Sequence, residues 1–366
     1  MSHDAARSGS GGPGAIKFEN TAFAGWQPFR EIRAAGPGAD VHSLRTAYLD
    51  LLKLALCDLT GTTTVSVWRD RKRGMMSREL RGEDLQVRAL GVDWPLQGLT
   101  MVGLHRLDDL QRCLEAIVAD SVAGDVIEAG TWRGGASILM RATLDALGEA
   151  GRRVVVADSF QGFPDPDEKQ PETGRLAEMD YVAVSLEEVK ANFERLGVLD
   201  GVEFVRGFFH ETVPGLRDRS WALVRLDGDS YEATCLTLQS LYPGLATGGY
   251  VIIDDYGALE PCRRAVDEFR ERHGIEEPIE QVDWTCARWR RTDSAPIEAI
   301  EPPVRSAAGT PASAAAEDPP PRSRVPDMQE VALREQLAER ERELQKLRSE
   351  LGLRDWLRRK LSGGGA

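Results

Sequence analysis

Four aspartates stand where two apolar stretches of the chain end. Asp227 and Asp229 follow the run 221–226, and Asp254 and Asp255 follow a second run rich in Val and Ile. Apolar runs of this length favour buried strands, and open α/β sheets place their ligands at the carboxyl ends of parallel strands. Carboxylates gathered there repel one another without a cation, and hard oxygen ligands favour a divalent ion such as Mg²⁺. For any single aspartate, capping of the following helix is the alternative.

A glycine-rich turn follows an earlier apolar segment that ends near Glu128. Residues 130–135 contain three glycines ahead of a predicted helix, so the backbone there can approach a ligand closely. About thirty residues later another predicted strand ends at Asp158. An acid at this position binds ribose hydroxyls in nucleotide-binding α/β folds. Because the glycine spacing is not GxGxxG, the pattern favours an adenosine-type ligand without a pyrophosphate, with a plain structural turn as the alternative.

Several short segments together resemble one known family, the macrocin O-methyltransferases of antibiotic-sugar tailoring. The resemblance spans roughly residues 47–291 and rests on segments in the same order, which is far more specific than any single match. The segments are 48–53, 99–103, 107–110, 128–135, 157–164, 226–231 and 253–256. The chain departs from the family in carrying a long tail that the core fold does not need.

The resemblance implies a class I methyltransferase (Rossmann-like) fold, with a mostly parallel sheet and helices on both faces. It further implies S-adenosylmethionine as the methyl donor and a sugar hydroxyl of a glycosylated natural product or glycan as the acceptor. Asp227, Asp254 and Asp255 match the family's Mg²⁺ ligands. Asp229 matches the proposed general base, and Asp227 lies beside it at the reacting centre.

The resemblance also assigns residues to the cofactor, from its methionine end to its adenine. These predicted contacts are Thr100, Met101, Glu128, Gly130, Asp158, Ser159 and Phe208. Glu128 and Gly130 would lie along the methionine part, and Asp158 would bind the ribose. Core packing is the alternative role for Phe208.

Three alternatives stay open on the residues alone. His105 and His210 are rival bases, although each is more often a structural or surface histidine. A catechol also presents two neighbouring hydroxyls to Mg²⁺, so it competes with a sugar as the acceptor. A cofactor-binding scaffold without catalysis is the third alternative, and the intact set of carboxylates favours the enzyme.

Composition restricts the class of protein. The chain has 366 residues, with 42% hydrophobic and 29% charged, as in ordinary globular proteins. The net charge of -13 argues against nucleic acid as a partner. The sequence shows no apolar run long enough for a membrane span and no signal peptide. Five scattered cysteines without CxxC spacing predict thiols in a reducing cytoplasm and no zinc site.

Composition and the spacing of apolar residues together predict five regions along the chain. Residues 1–37 are rich in Gly and Ser and predicted to be disordered. Residues 38–98 are predicted to form a helical extension, and the resemblance implies that its helix helps to cover the active site or to form a dimer. The catalytic domain is 99–295, followed by a Pro/Ala-rich linker at 296–326 and a helical tail at 327–366.

Within these regions, a helix is predicted at 44–59, a solvated loop at 69–84, and a lid over the cavity at 161–185. Residues 281–289 are predicted to form one last strand, and the resemblance implies that it runs antiparallel.

The tail carries leucines seven residues apart, at Leu337, Leu344 and Leu351, with Arg340 interrupting the row. This spacing is typical of a short, imperfect coiled-coil seam. Its basic end, 356–361, is amphipathic. A homo-oligomer, another partner helix or weak contact with an anionic membrane surface would each suit it, and an uncontacted tail is the alternative.

Overall fold

A twisted sheet between two layers of helices forms the centre of the protein. The computed structural model describes residues 36, 38–70, 73–164 and 180–294. Its strands are β1 (Thr64–Asp70), β2 (Gly74–Leu80), β3 (Trp94–Pro95), β4 (Asp125–Ala129), β5 (Val154–Asp158), β6 (Val202–Arg206), β7 (Trp221–Leu226), β8 (Leu245–Ile253), β9 (Glu280–Gln281) and β10 (Ala287–Arg290). Its α-helices are α1 (Val41–Leu56), α2 (Leu85–Ala89), α3 (Leu104–Ala119), α4 (Gly135–Leu147), α5 (Leu186–Arg195), α6 (Phe209–Thr212), α7 (Tyr231–Leu241) and α8 (Glu260–His273).

Seven strands pair in the order β6-β5-β4-β7-β8-β10-β9. The first five are parallel, and β10 runs antiparallel to β8, as predicted for the last strand. The chain moves outward from β4 in one direction and from β7 in the other, so the switch point of the sheet lies between these two strands. Ligands of open α/β sheets bind above such a point. The predicted α/β class with helices on both faces is confirmed.

Side chains of the central strands alternate between two hydrophobic clusters, one on each face of the sheet. On β4, Val126 packs toward α3, α4 and α5, whereas Ile127 packs toward α7 and α8. On β8, Tyr250 and Val251 alternate in the same way. Strands buried on both faces are near-continuous apolar runs, which explains why the sequence located them well.

The segment predicted as a solvated loop at 69–84 is instead largely a strand, so that prediction is wrong. Residues Gly74–Leu80 form β2, which pairs antiparallel with β1 in a three-stranded sheet of order β2-β1-β3. Polar residues on an antiparallel sheet can face water on one side, so its charge does not exclude a strand. Buried Arg88 ties this small sheet together by donating to Asp93 at 2.8 Å and to the Val65 carbonyl at 2.8 Å.

The predicted last strand at 281–289 is also divided in two. The Asp283 carboxylate accepts hydrogen bonds from the backbone N–H of Thr285 at 2.9 Å and of Cys286 at 2.8 Å. These bonds form a tight turn between β9 and β10. The turn brings Trp284 to the functional edge of the sheet, where the cavity lies.

Several predicted segments lie outside the described residues. They are most of the disordered start and of the lid, the linker at 296–326 and the tail helix at 327–366. Among the helices of the described ranges, none combines the length and the apolar character that crossing a membrane requires.

The contact between the ends of β4 and β7 depends on Gly130. Its φ is +92°, and a Cβ there would stand 1.8 Å from the Asp227 carbonyl oxygen. Gly148 has a similar φ of +83°, but a Cβ there would meet nothing within 4 Å. A substitution at Gly148 therefore tests backbone strain alone, whereas the same substitution at Gly130 tests strain together with a steric clash.

We expect Gly148→Ala to lower the free energy of unfolding by about 1–2 kcal/mol through strain alone. Gly130→Ala should lower it by about 3 kcal/mol or more, because overpacking adds to the strain. Urea denaturation of both variants measures the difference. Equal losses would mean that the β4–β7 contact tolerates a side chain.

Candidate active site

One large cavity opens at the carboxyl edge of the parallel strands. Its volume is about 1190 Å³. It touches every site residue predicted from the sequence, namely Thr100, Met101, Glu128, Gly130, Asp158, Ser159, Phe208, Asp227, Asp229, Asp254 and Asp255. The fold thus brings together residues up to 155 positions apart (Asp255 minus Thr100) on a single surface.

Three of the four aspartates form a compact group at the ends of β7 and β8. One carboxylate oxygen from each of Asp227, Asp254 and Asp255 lies within 4.8 Å of the others. Asp254 is buried, and the other two are half-buried. Asp229 adopts a φ of +55°, and its carboxyl group hydrogen-bonds with that of Asp255. Positive φ is unusual outside glycine but is tolerated by aspartate in a tight turn.

Arg225 lies at the centre of this acidic group. The guanidinium on β7 is 3% exposed and donates from Nη1 to Glu128 at 2.6 Å and to Asp227 at 2.9 Å. Its Nη2 donates to the Asp254 carboxylate. One buried cation therefore joins carboxylates from the ends of three adjacent strands, β4, β7 and β8.

A second arginine supports the same group from α3. Arg106 donates from Nη1 to Asp254 at 2.5 Å and pairs through Nε with Asp283 at 3.0 Å. Both oxygens of Asp254 are thus engaged by guanidinium groups. The site gathers six carboxyl groups, the four aspartates together with Glu128 and Asp283, against two guanidinium groups. The excess of negative charge suits an added cation.

The acid–base properties of the aspartates follow from this crowding. Burial raises the pKa of Asp227 well above its usual range, and the neighbouring Asp254 carboxylate raises it further. Burial likewise raises the pKa of Asp255, with the charges of Asp229 and Asp227 adding to the effect. Burial also raises the pKa of Asp229, against the hydrogen bond from Asp255. Perturbed carboxyls of this kind are typical of functional sites.

The predicted ribose-binding acid, Asp158, anchors two loops at the other end of the cavity. Its oxygens accept hydrogen bonds from the backbone N–H of Thr131 at 2.8 Å and of Phe160 at 2.8 Å. The Trp132 N–H and, at 3.4 Å, the Ser159 hydroxyl also lie within hydrogen-bond reach of this carboxylate, so the surrounding loops supply donors to both of its oxygens. Neighbouring Ser159 donates its hydroxyl to the Gly162 carbonyl at 2.5 Å and so holds the following turn.

Glu128 has a more internal position than the sequence suggested. It is 1% exposed, and its Oε2 accepts from Thr131 at 3.1 Å and from Ser137, while Oε1 accepts from Arg225. Both oxygens are therefore occupied by protein donors. Glu128 forms part of the cavity wall, and its carboxylate binds Arg225, the arginine that joins the strand ends.

The remaining predicted residues lie on the walls of the cavity. Thr100 is buried, and its hydroxyl accepts from the Val102 N–H at 3.0 Å. Phe208 is half-buried and stacks on His210, with ring centres 5.9 Å apart. His210 lines the cavity with its ring 51% exposed, whereas His105 is not among the lining residues. The geometry thus favours His210 over His105 as the rival base.

Comparison with known proteins identifies the family. The family described as Macrocin-O-methyltransferase matches this chain over residues 44–291, which is more than half of its length. The chain belongs to the macrocin O-methyltransferase family. It is an O-methyltransferase, and the matched region contains every helix and strand of the catalytic sheet described above.

Two relatives and one solved structure are similar to this macrocin O-methyltransferase over most of their own length. The chain is 46% identical to the 8-demethyl-8-(2,3-dimethoxy-alpha-L-rhamnosyl)-tetracenomycin-C 4'-O-methyltransferase of Streptomyces olivaceus, over 70% of this chain and 97% of that protein. It is 40% identical to the mycinamicin III 3''-O-methyltransferase of Micromonospora griseorubida, over 67% of this chain and 96% of that protein. The structure of the O-methyltransferase NovP shows 38% identity and a TM-score of 0.61, covering 68% of this chain and 100% of NovP.

Sequence reasoning missed the residues that hold the aspartates in place. Arg225 interrupts the apolar run of β7, and a charged residue inside a buried strand was a usable signal because such residues need a partner. Arg106 and Trp284 gave no comparable signal. Their contacts join segments that are far apart in the sequence, so only the folded chain reveals them.

We expect Arg225→Met to lower the free energy of unfolding by about 3–5 kcal/mol, because it leaves buried carboxylates without their cation. The control is Arg219→Met, which removes a 21% exposed guanidinium that pairs with Asp125 and Glu203 near the surface. That change should cost at most about 1 kcal/mol. Urea unfolding in the presence of a chelator, so that no metal replaces the guanidinium, measures both. Similar losses would show that Arg225 does not hold the strand ends together.

Proposed function

We propose that the protein transfers a methyl group from S-adenosylmethionine to a sugar hydroxyl of a glycosylated natural product, with the help of Mg²⁺. The observation that carries the proposal is the position of the aspartate group. Asp227, Asp254 and Asp255 meet at the ends of β7 and β8, in the same cavity as the β4 turn and Asp158. A methyl donor above β4 and β5 would therefore share one chamber with an acceptor above β7 and β8.

The size of the cavity supports two reactants. Sites for one small molecule usually measure about 300–1,000 Å³. The volume of about 1190 Å³ exceeds that range. A donor and a glycoside acceptor would fill such a chamber side by side.

The residues present fit a Mg²⁺ ion. The three aspartates offer only oxygen ligands, which favour Mg²⁺ over zinc or copper. Asp255 Oδ2 is buried and has no hydrogen-bond partner among the described residues, and a cation would satisfy it. When bound, the ion would supply Lewis acidity that makes an acceptor hydroxyl more acidic and fixes its orientation.

Asp229 is our candidate for the proton acceptor. It is half-buried beside Asp255 and faces the cavity. As the new C–O bond forms and the C–S bond of the sulfonium breaks, the hydroxyl proton would pass to the Asp229 carboxylate. The electron pair of the broken bond remains on sulfur, so charge balances without another reactant. His210 is the alternative acceptor because it also lines the cavity.

The acceptor class rests on the named relatives. Their names describe 4'-O-methylation of a rhamnosyl-tetracenomycin and 3''-O-methylation of mycinamicin III. The rhamnosyl acceptor favours a sugar hydroxyl over a catechol for the present chain. Mass spectrometry of a panel of glycosides incubated with labelled S-adenosylmethionine tests this assignment, and transfer only to catechols would overturn it.

We expect turnover to require a divalent ion and to fall about 100-fold or more in Asp255→Asn, because the metal stabilises the reacting oxygen by several kcal/mol. The same variant should bind Mn²⁺ more weakly in paramagnetic resonance titrations yet keep its affinity for S-adenosylhomocysteine. The control Asp267→Asn alters an aspartate on α8 that bonds the Tyr256 hydroxyl at 2.9 Å, and it should match wild type. Full turnover after exhaustive chelation would rule out the metal.

We expect Asp158→Ala to weaken S-adenosylhomocysteine binding about tenfold, as one hydrogen bond from a ligand hydroxyl to a charged group is lost. Asp200→Ala, which removes an exposed aspartate ahead of β6, is the control and should bind normally. Calorimetry gives both dissociation constants, and a thermal melt checks that the loops held by Asp158 stay folded. An unchanged affinity in a folded Asp158→Ala would remove Asp158 from the cofactor site.

A further inference from the structure

The loop from Leu90 to Trp94 forms a wall of the cavity that neither the metal group nor the predicted cofactor residues include. Gly91, Val92, Asp93 and Trp94 all line the cavity. The loop belongs to the N-terminal part of the chain and runs from the end of α2 to the first residue of β3. It is fastened at both ends to the catalytic sheet.

One end is fastened beside the metal-binding aspartates. Trp284 Nε1 donates to the Leu90 carbonyl at 3.1 Å, and Arg106 Nη2 donates to the Gly91 carbonyl at 3.0 Å. The same Arg106 binds Asp254, and its guanidinium carbon lies 5.9 Å from the centre of the Trp284 ring. The next residue, Thr285, donates its hydroxyl to the Asp254 carbonyl at 2.9 Å. Trp284 is thus held next to the end of β8.

The other end is fastened above the β4 turn by aromatic contacts. Trp94 stacks on Tyr181 with ring centres 5.6 Å apart and an angle of 15°. Tyr181 contacts Trp132 at 5.4 Å, and Trp132 Nε1 donates to the Tyr181 carbonyl at 3.1 Å. The loop therefore spans the chamber from the β10 side to the β4 side.

The position of Trp284 separates it from the cofactor end. It precedes β10, which lies four strand positions from β5, where Asp158 stands. At about 4.8 Å per strand, the lateral separation is roughly 19 Å. The aspartates at the ends of β7 and β8 lie between the two. Trp284 therefore faces the half of the chamber left to the acceptor.

We propose that Trp284 binds the apolar face of the acceptor sugar and so helps to determine which glycoside is methylated. This inference rests on the proposed function. The Trp284 indole is half-buried and lines the cavity. The Trp284 N–H is already bonded to Leu90, so the ring offers the cavity an apolar surface. A sugar ring has a face of C–H groups that matches such a surface, while its hydroxyls reach the aspartates.

Trp284 would have only a structural role if it acted solely through its hydrogen bond to the Leu90 carbonyl. Two substitutions separate these roles. Trp284→Phe keeps an aromatic face but removes the N–H donor, and Trp284→Leu removes both. Trp68→Leu is the matched control because Trp68 is half-buried on β1 and does not line the cavity.

The test measures methyl transfer to 4-nitrophenyl α-L-rhamnoside, with S-adenosylhomocysteine affinity from calorimetry. Trp284→Leu should raise KM for the rhamnoside about tenfold, the scale of a lost aromatic contact, and leave cofactor affinity unchanged. Trp284→Phe should stay within about threefold of wild type, since most of that contact remains. Trp68→Leu should match wild type in KM.

Three outcomes would count against the inference. An unchanged KM in Trp284→Leu, or equal losses in the Phe and Leu variants, would overturn the acceptor contact while leaving the proposed function intact. An equal rise in KM in Trp68→Leu would make the effect a general loss of folding. No transfer to the rhamnoside by wild-type protein would count against the proposed sugar acceptor itself, and the inference would fail with it.

Discussion

Electrostatic repulsion between carboxylates at one edge of the sheet is the constraint around which the site is built. Parallel strands direct their carboxyl ends to the same edge, so an acid at the end of β4, β7 and β8 becomes a neighbour of the others. Arg225 offsets part of this charge from within β7, with bonds to Glu128, Asp227 and Asp254. A buried ion pair gains little on its own, but removing one partner leaves unpaired charges in a medium of low polarity. The arginine therefore fixes the relative positions of three strand ends.

The same interaction links the two halves of the proposed chamber. Glu128 lies at the end of β4, on the side proposed for the cofactor, and Asp254 belongs to the aspartate group on the side proposed for the acceptor. Because both bind one guanidinium, their positions depend on each other. The close approach of Gly130 to the Asp227 carbonyl strengthens this link, since the two strand ends meet without a side chain between them. Such preorganisation suits a displacement in which donor and acceptor must be aligned.

The N-terminal part of the chain is a structural part of the same site. The small sheet places the Leu90–Trp94 loop on the cavity wall, and Arg88 holds that sheet through Asp93 and the Val65 carbonyl. Arg133 extends the connection from the β4 turn by donating to the carbonyls of Leu96 and Gly98, at 3.0 and 2.9 Å. Contacts of this kind explain why the loop has a defined position above the aspartates. A region outside the parallel sheet thereby forms part of the chamber.

Much of the catalytic sheet could be predicted from local patterns. Apolar runs buried on both faces located β4, β5 and β7. Strand β2 was missed because it carries charged residues on a partly solvated surface, which resembles a loop in a one-dimensional pattern. The single strand predicted at the end was divided by the Asp283 turn, a side-chain bond that periodicity does not register.

The sequence by itself determined which chemical groups the site can offer, because residue type fixes them: carboxylate oxygens of the kind that suit a hard cation, an acid after a second strand, and glycines at the intervening turn. The sequence also indicated where these groups meet, at the edge of the sheet formed by the carboxyl ends of the parallel strands. Only the tertiary structure decided which charges neutralise which. Glu128, Asp254 and Arg225 are up to 126 residues apart (254 minus 128), and their bonds depend on the pairing of β4 with β7 and of β7 with β8. Coulomb interactions act over distance in space, so the sequence order of the charges does not reveal their partners.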